Sequence, residues 1–197
     1  MKQKKQQRFR QIAMIIFLVL IVLGFTIPGF LNPPDSVVQI AEPRLCHTDV
    51  DCYLFCDETP KEVLCSQNLC QQNSCEEASY YAFKETPLQF SLMVELENET
   101  LSLQNRSSSQ NLFVTFNDPT VSLFSSGLLT LQHVLEKAGM QLTAPCLVVD
   151  AVRYCEDDGT TLQILVNGNQ TFSYGNYVPK EGDAVKIELK RKTDQKE

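Results

Sequence analysis

Three patterns of hydrophobic and polar positions divide the chain. The first is a run from Ile12 to Phe30 with no charged residue, rich in Ile, Leu, Val, Phe and Met. As a helix rising about 1.5 Å per residue, it would extend roughly 28 Å, near the thickness of a bilayer's hydrocarbon core. It predicts a single transmembrane helix over residues 12–30. The second pattern is alternation. Phe90, Leu92, Val94 and Leu96 alternate with Ser91, Met93 and Glu95, as in a half-buried strand. Leu112 to Phe116 reads as a second strand, with Asp118-Pro119 as a turn and Val121 to Phe124 as a short continuation. Leu162, Ile164 and Val166 lead into Asn167-Gly168, a strong hairpin signal, with Phe172 and Tyr174 on the return strand. Val185, Ile187 and Leu189 form the last alternating strand. The third pattern is helical: Leu128, Leu131, Leu135 and Ala138 recur at steps of three and four. Ser126 or Thr130 stands where a cap belongs, and Gly139 where a left-handed residue ends a helix.

These patterns set an expected organisation. A basic cytoplasmic tail occupies 1–11, the transmembrane helix 12–30 and a stalk 31–45, where Pro33, Pro34 and Pro43 favour extended backbone. A cysteine-rich module spans 46–75, a linker 76–87, a sheet-containing domain 88–190 and a charged tail 191–197. The expected fold class is α+β.

Charge gives the expected orientation. Lys2, Lys4, Lys5, Arg8 and Arg10 precede the hydrophobic run, and all 24 Asp and Glu residues follow it. The positive-inside rule keeps the basic end in the cytoplasm and the rest of the chain outside, at the cell membrane. The acidity of the outer part argues against nucleic-acid binding, which uses a basic face. A cleaved signal peptide would have a shorter apolar region and an Ala-x-Ala-like site. This run is longer, and Gly24 to Gly29 holds no such site.

Eight cysteines change the picture further. Cys46, Cys52, Cys56, Cys65, Cys70 and Cys75 fall close together, with few apolar residues between them: Val50, Leu54, Phe55, Val63, Leu64 and Leu69. So short a segment cannot bury enough apolar surface to fold unaided, and an extracytoplasmic compartment permits disulfides. Six cysteines allow about fifteen pairings, and spacing does not choose among them. Two other chemistries compete. Cys46, His47, Cys52 and Cys56 form a conceivable zinc set. A thiol-redox site would normally use C-x-x-C, whereas the nearest pair, Cys52 and Cys56, has three residues between. Cys146 and Cys155 read as a local disulfide across a strand or bulge. Asn98, Asn105 and Asn169 each begin an N-x-Ser/Thr sequon and are candidate glycosylation sites on an exported chain.

The run Cys46-His47-Thr48-Asp49-Val50-Asp51-Cys52 resembles small secreted modules of the EB or whey-acidic type. That resemblance implies a scaffold. Leu165-Val166-Asn167-Gly168 and Asn176 to Val185, through Pro179-Lys180-Glu181-Gly182-Asp183, resemble the end of ubiquitin-like β-grasp domains. The likeness is nearest to membrane-anchored archaeal proteins without assigned function, and it implies a sheet curled around one helix. Such relatives often carry a His-rich first hairpin. Phe90 to Phe116 has no histidine, so no metal role is carried over.

Catalytic constellations are missing from the sequence. It contains no Gly-rich phosphate loop, H-E-x-x-H or G-x-S-x-G, and only two histidines. The expectation is a non-enzymatic surface or interaction module without a cofactor. It would be anchored to the membrane through residues 12–30 and would meet a protein partner at the cell surface. A thiol-redox or metal-handling protein using Cys46 to Cys75, and a soluble-ligand-binding β-grasp domain, are the alternatives.

Overall fold

Strand β5, Phe83–Leu96, organises the structure. In the computed structural model, which describes residues 13–21, 42–106 and 108–192, β5 lies in the middle of a seven-stranded mixed sheet. Ahead of it, in the cysteine-rich part, come two short antiparallel pairs: β1 Tyr53–Cys56 with β2 Thr59–Glu62, and β3 Cys65–Ser66 with β4 Leu69–Cys70. After β5 come β6 Glu99–Leu101, β7 Val114–Asn117 and β8 Thr120–Ser125. Residues 13–21 form helix α1, and Leu131–Lys137 form α2. A three-stranded sheet follows, made by β9 Met140–Thr143, β10 Cys146–Val149 and β11 Val152–Cys155. The chain then returns to the large sheet with β12 Thr160–Val166, β13 Asn169–Gln170 and β14 Ala184–Arg191.

The large sheet has the order β13-β12-β14-β5-β8-β7, with β6 also paired to β5. Its centre joins the first and last long strands in parallel, Val185 beside Leu92 and Ile187 beside Val94. Because side chains alternate, this register puts Phe90, Leu92 and Val94 on the same face as Val185, Ile187 and Leu189. All six are buried there with Leu131, Val134 and Leu135 of α2. The opposite face is polar. At its centre Glu188 is fully buried between Lys186 and Lys190, at 2.6 and 2.5 Å.

Local chemistry sets the element ends. Thr130 precedes α2 in extended geometry, and Gly139 follows at φ 71°. Asn167 and Gly168 adopt φ 51° and 82°, the left-handed pair of a tight hairpin between β12 and β13. At Gly127 an added Cβ would fall 1.8 Å from the Tyr80 carbonyl oxygen, so only glycine lets β8's end approach the chain ahead of β5.

Two expectations are corrected here. The α+β class does not describe the chain: the described residues are 43% strand and 16% helix, with two α-helices. Strand pairs fill the cysteine-rich part, and α2 is held to two turns between Thr130 and Gly139. The transmembrane helix within that class is likewise not found, since no described helix is long and apolar enough to cross a membrane. Of the expected span, residues 13–21 are described, and they are helical. The rest of the expected span, the basic tail 1–11, the stalk up to residue 41 and residues 193–197 lie outside the described residues. Of the expected resemblances, a disulfide-rich segment and a sheet-rich domain are present. The described residues 13–21 and 42–192 belong to different units of the chain.

Candidate interaction surface

All eight cysteines are paired. Cys46 joins Cys65, Cys52 joins Cys70 and Cys56 joins Cys75 in the cysteine-rich module; Cys146 joins Cys155 directly across β10 and β11. The three module bridges overlap in sequence, so each closes a loop that contains half-cystines of the other two. Cys46, Cys52, Cys65 and Cys70 are buried around Val63 and make a small core of their own. The sulfurs of Cys46, Cys52 and Cys65 lie within 4.8 Å of one another, but each already belongs to a disulfide and has no thiolate to offer a metal. His47 of the conceivable zinc set is exposed, and its backbone amide donates to Asp51 at 2.9 Å.

The module is seated on the sheet domain. Val63 faces the module's core, while the next residue, Leu64, is buried in the main hydrophobic core. Asp49 reaches across from the first turn of the module. One of its oxygens accepts from Lys137 Nζ at 2.6 Å and from the Cys65 amide at 3.0 Å. The other accepts from the amides of Leu112 and Phe113 at 2.9 and 3.3 Å. Glu136, beside Lys137 at the end of α2, accepts from Ser66 Oγ at 2.9 Å and from the Gln67 amide at 2.5 Å. Asp51 acts within the module's own first turn. It accepts from the amides of His47 and Thr48, which hold its carboxyl below the usual carboxylate range.

A cleft of about 350 Å³ runs beside this seam, lined by His47, Asn68, Arg106 and Glu136 among others. Three of its polar side chains are already engaged. Arg106 pairs with Asp150, Asn111 donates to the Lys137 carbonyl at 3.1 Å, and Glu136 is taken up as described.

Seated in this way, the module turns one strand outward. β1 follows Cys52 and ends in Cys56, which are covalently tied to Cys70 and Cys75. Leu54 packs on the module core, so by alternation Tyr53 and Phe55 project to the other side. They are 52% and 67% exposed, and their rings meet edge to face with centroids 5.4 Å apart. The register places Glu62 opposite Tyr53 and Pro60 opposite Phe55, and both are also exposed. The turn between the strands is Asp57-Glu58, with φ 50° and 64°. Arg44 braces the strand, donating to the Tyr53 carbonyl at 2.9 Å and to the Gln72 carbonyl at 3.2 Å.

The three sequon asparagines lie elsewhere, on the sheet domain. Asn98 is in the turn between β5 and β6, Asn105 in a single 3-10 turn, and Asn169 begins β13; all three are exposed.

The chain matches no protein-family model and no curated protein, so the likeness to membrane-anchored archaeal proteins gains no support there. Sequence reasoning counts Phe55 among the module's few apolar residues without giving it a face, and gives Asp49 no role. Alternation within Cys52-Tyr53-Leu54-Phe55-Cys56 is the signal for the first: with both flanking cysteines inside, Leu54 goes in and Tyr53 and Phe55 go out. For Asp49 the sequence offers no comparable signal.

Proposed function

We propose that this chain is an extracytoplasmic, non-enzymatic interaction module that meets a protein partner through strand β1. The observation that carries this reading is the pair Tyr53 and Phe55, exposed on a strand whose two ends are fixed by disulfides. Large aromatic side chains dominate binding energy at protein interfaces, and a preformed strand loses little conformational entropy on association. Four disulfides support a location outside a reducing cytosol. For the thiol-redox and metal alternative, the relevant fact is that every cysteine from Cys46 to Cys75 is engaged.

The test is site-specific photocrosslinking in the native cells, with a benzophenone side chain at position 55 and, as control, at the exposed Gln141 of β9. A discrete protein adduct from position 55 that is lost with Tyr53→Ser, and absent from position 141, is the expected result. No adduct at 55, or the same adducts at both positions, overturns the reading.

A further inference from the structure

We infer that the partner surface fitted by β1 is cationic as well as apolar: a protein segment in which aliphatic or aromatic residues alternate with Lys or Arg. This inference rests on the reading of β1 as the contact strand and adds the chemistry of what it contacts.

Charge is distributed unevenly around the two rings. On the exposed face of the β1–β2 pair, the register aligns Tyr53, Phe55, Pro60 and Glu62. Lys61 is opposite Leu54 and therefore on the other face. Asp57 and Glu58 close the turn beside Phe55, and both are exposed. The apolar strip thus has a carboxylate at Glu62 beside Tyr53 and two more at its tip. The one guanidinium between residues 42 and 82, that of Arg44, is held by the backbone carbonyls of Tyr53 and Gln72. The surrounding module repeats the bias: between residues 42 and 82 the only Lys or Arg are Arg44 and Lys61, against eight Asp or Glu.

Such a surface selects among partners. A Lys or Arg side chain can lay its alkyl stem along Phe55 and Pro60 and place its charge at Glu62 or at the Asp57-Glu58 tip. It can also take the faces of the exposed rings, where a cation is attracted by the π quadrupole. An acidic partner meets like charge at each of these points. Anionic lipid is disfavoured for the same reason, although exposed aromatics by themselves would suit a membrane interface.

The chain contains no tryptophan, so a Trp-bearing peptide reports binding by its own fluorescence. The probes are three synthetic peptides with one Leu/Trp pattern, interspersed with Lys, with Gln or with Glu, titrated against the oxidised full-length chain. The Lys peptide is expected to bind about tenfold more tightly than the Gln peptide at low salt. That advantage should fall to about twofold at 0.5 M salt, where the Debye length is only a few ångströms. Glu62→Lys should remove most of the advantage, and Tyr53→Ser with Phe55→Ser should remove binding. Mass after alkylation without reduction checks that these variants keep their disulfides.

Equal binding of the Lys and Gln peptides, lost with Tyr53→Ser, would overturn the cationic partner and leave β1 as the contact strand. Lys-peptide binding that ignores the aromatic substitutions would be diffuse attraction to an acidic protein and would overturn both. So would no binding by any peptide. Aromatic-dependent binding to phosphatidylcholine vesicles in place of the peptides would overturn the protein partner in favour of lipid.

Discussion

Lys137 Nζ lies 2.6 Å from Asp49 Oδ1, with the two side chains only 6% and 0% exposed. The pair joins the first turn of the cysteine-rich module to the last residue of α2. Asp49 is also the acceptor for the amides of Cys65, Leu112 and Phe113, so one carboxylate satisfies backbone from both parts. Removing one member of a buried pair leaves the other charge unpaired inside the protein, which typically costs about 3–5 kcal/mol. Asp49→Ala is expected to cost more than Lys137→Met, because it also strips three amides of their acceptor. Combining the two should cost less than the sum of the single changes, the mark of direct coupling. Urea unfolding of the four proteins in oxidising buffer measures each difference.

How much of this is legible in the sequence depends on the range of the interaction. Alternation at Phe90 to Leu96 and at Val185 to Leu189 marks two strands, and Asn167-Gly168 marks a hairpin, because each signal is local. The apolar spacing starts the helix at Leu128, but it begins at Leu131: Leu129 is buried outside the helix and Leu128 is exposed. Around Cys146 and Cys155 the sequence reads as one strand or a bulge. The chain instead turns at Asp150-Ala151, both at positive φ, and that dipeptide is a weak turn signal compared with Asn-Gly. The burial of Asp49 is not legible at all, since its partners Leu112 and Lys137 are distant in sequence and an acid in a cysteine loop is ordinarily solvated.

The disulfides should not be equivalent. Cys46–Cys65, Cys52–Cys70 and Cys56–Cys75 join residues 18 or 19 apart, whereas Cys146 and Cys155 are 9 apart. Loop-closure entropy assigns about 3 kcal/mol to each longer loop and slightly less to the shorter one. The larger contrast lies in what remains. Cys146 and Cys155 sit on a domain with an extensive core, while the module core is Val63 and the cystines themselves. Replacing Cys52 and Cys70 together with Ala is expected to unfold the module while leaving the sheet domain folded; the same change at Cys146 and Cys155 should lower stability without losing either part. Amide exchange resolved by peptide separates these outcomes. Protection at Phe90 to Leu96 with none at Tyr53 to Cys65 is the expected pattern for the first variant.

His133 gives the fold a pH dependence. Its Nδ1 accepts the Thr130 amide at 3.1 Å, an arrangement open only to the neutral ring. Burial pushes its pKa below the ordinary 6.5; Glu136 opposes this and Lys137 adds to it. A base with a depressed folded pKa contributes stability that is complete above its unfolded value. That contribution is lost as pH falls through the folded value, because the unfolded chain takes the proton first. The unfolding free energy should therefore decline as pH drops below about 6.5, the unperturbed histidine value. His133→Gln should flatten that part of the profile. A decline of the same size in the variant would assign it to other groups.

Glycosylation at the sequons is a further expectation, and it also bears on β1. Asn98, Asn105 and Asn169 are all exposed at turns or strand ends of the sheet domain, so a glycan on any of them would extend into solvent without displacing core residues. Expressed through a eukaryotic secretory pathway, the chain is expected to carry glycosidase-sensitive mass at these positions. Removing the first sequon calls for Thr100→Ala, since Asn98 sits at φ 72°, a conformation that asparagine tolerates better than most residues. Asn169→Gln and Asn105→Gln remove the others. Because no sequon lies between residues 42 and 82, the glycosylated and enzymatically deglycosylated forms should bind the Lys peptide with equal affinity. A several-fold gain on deglycosylation would show that the sugars reach the β1 surface.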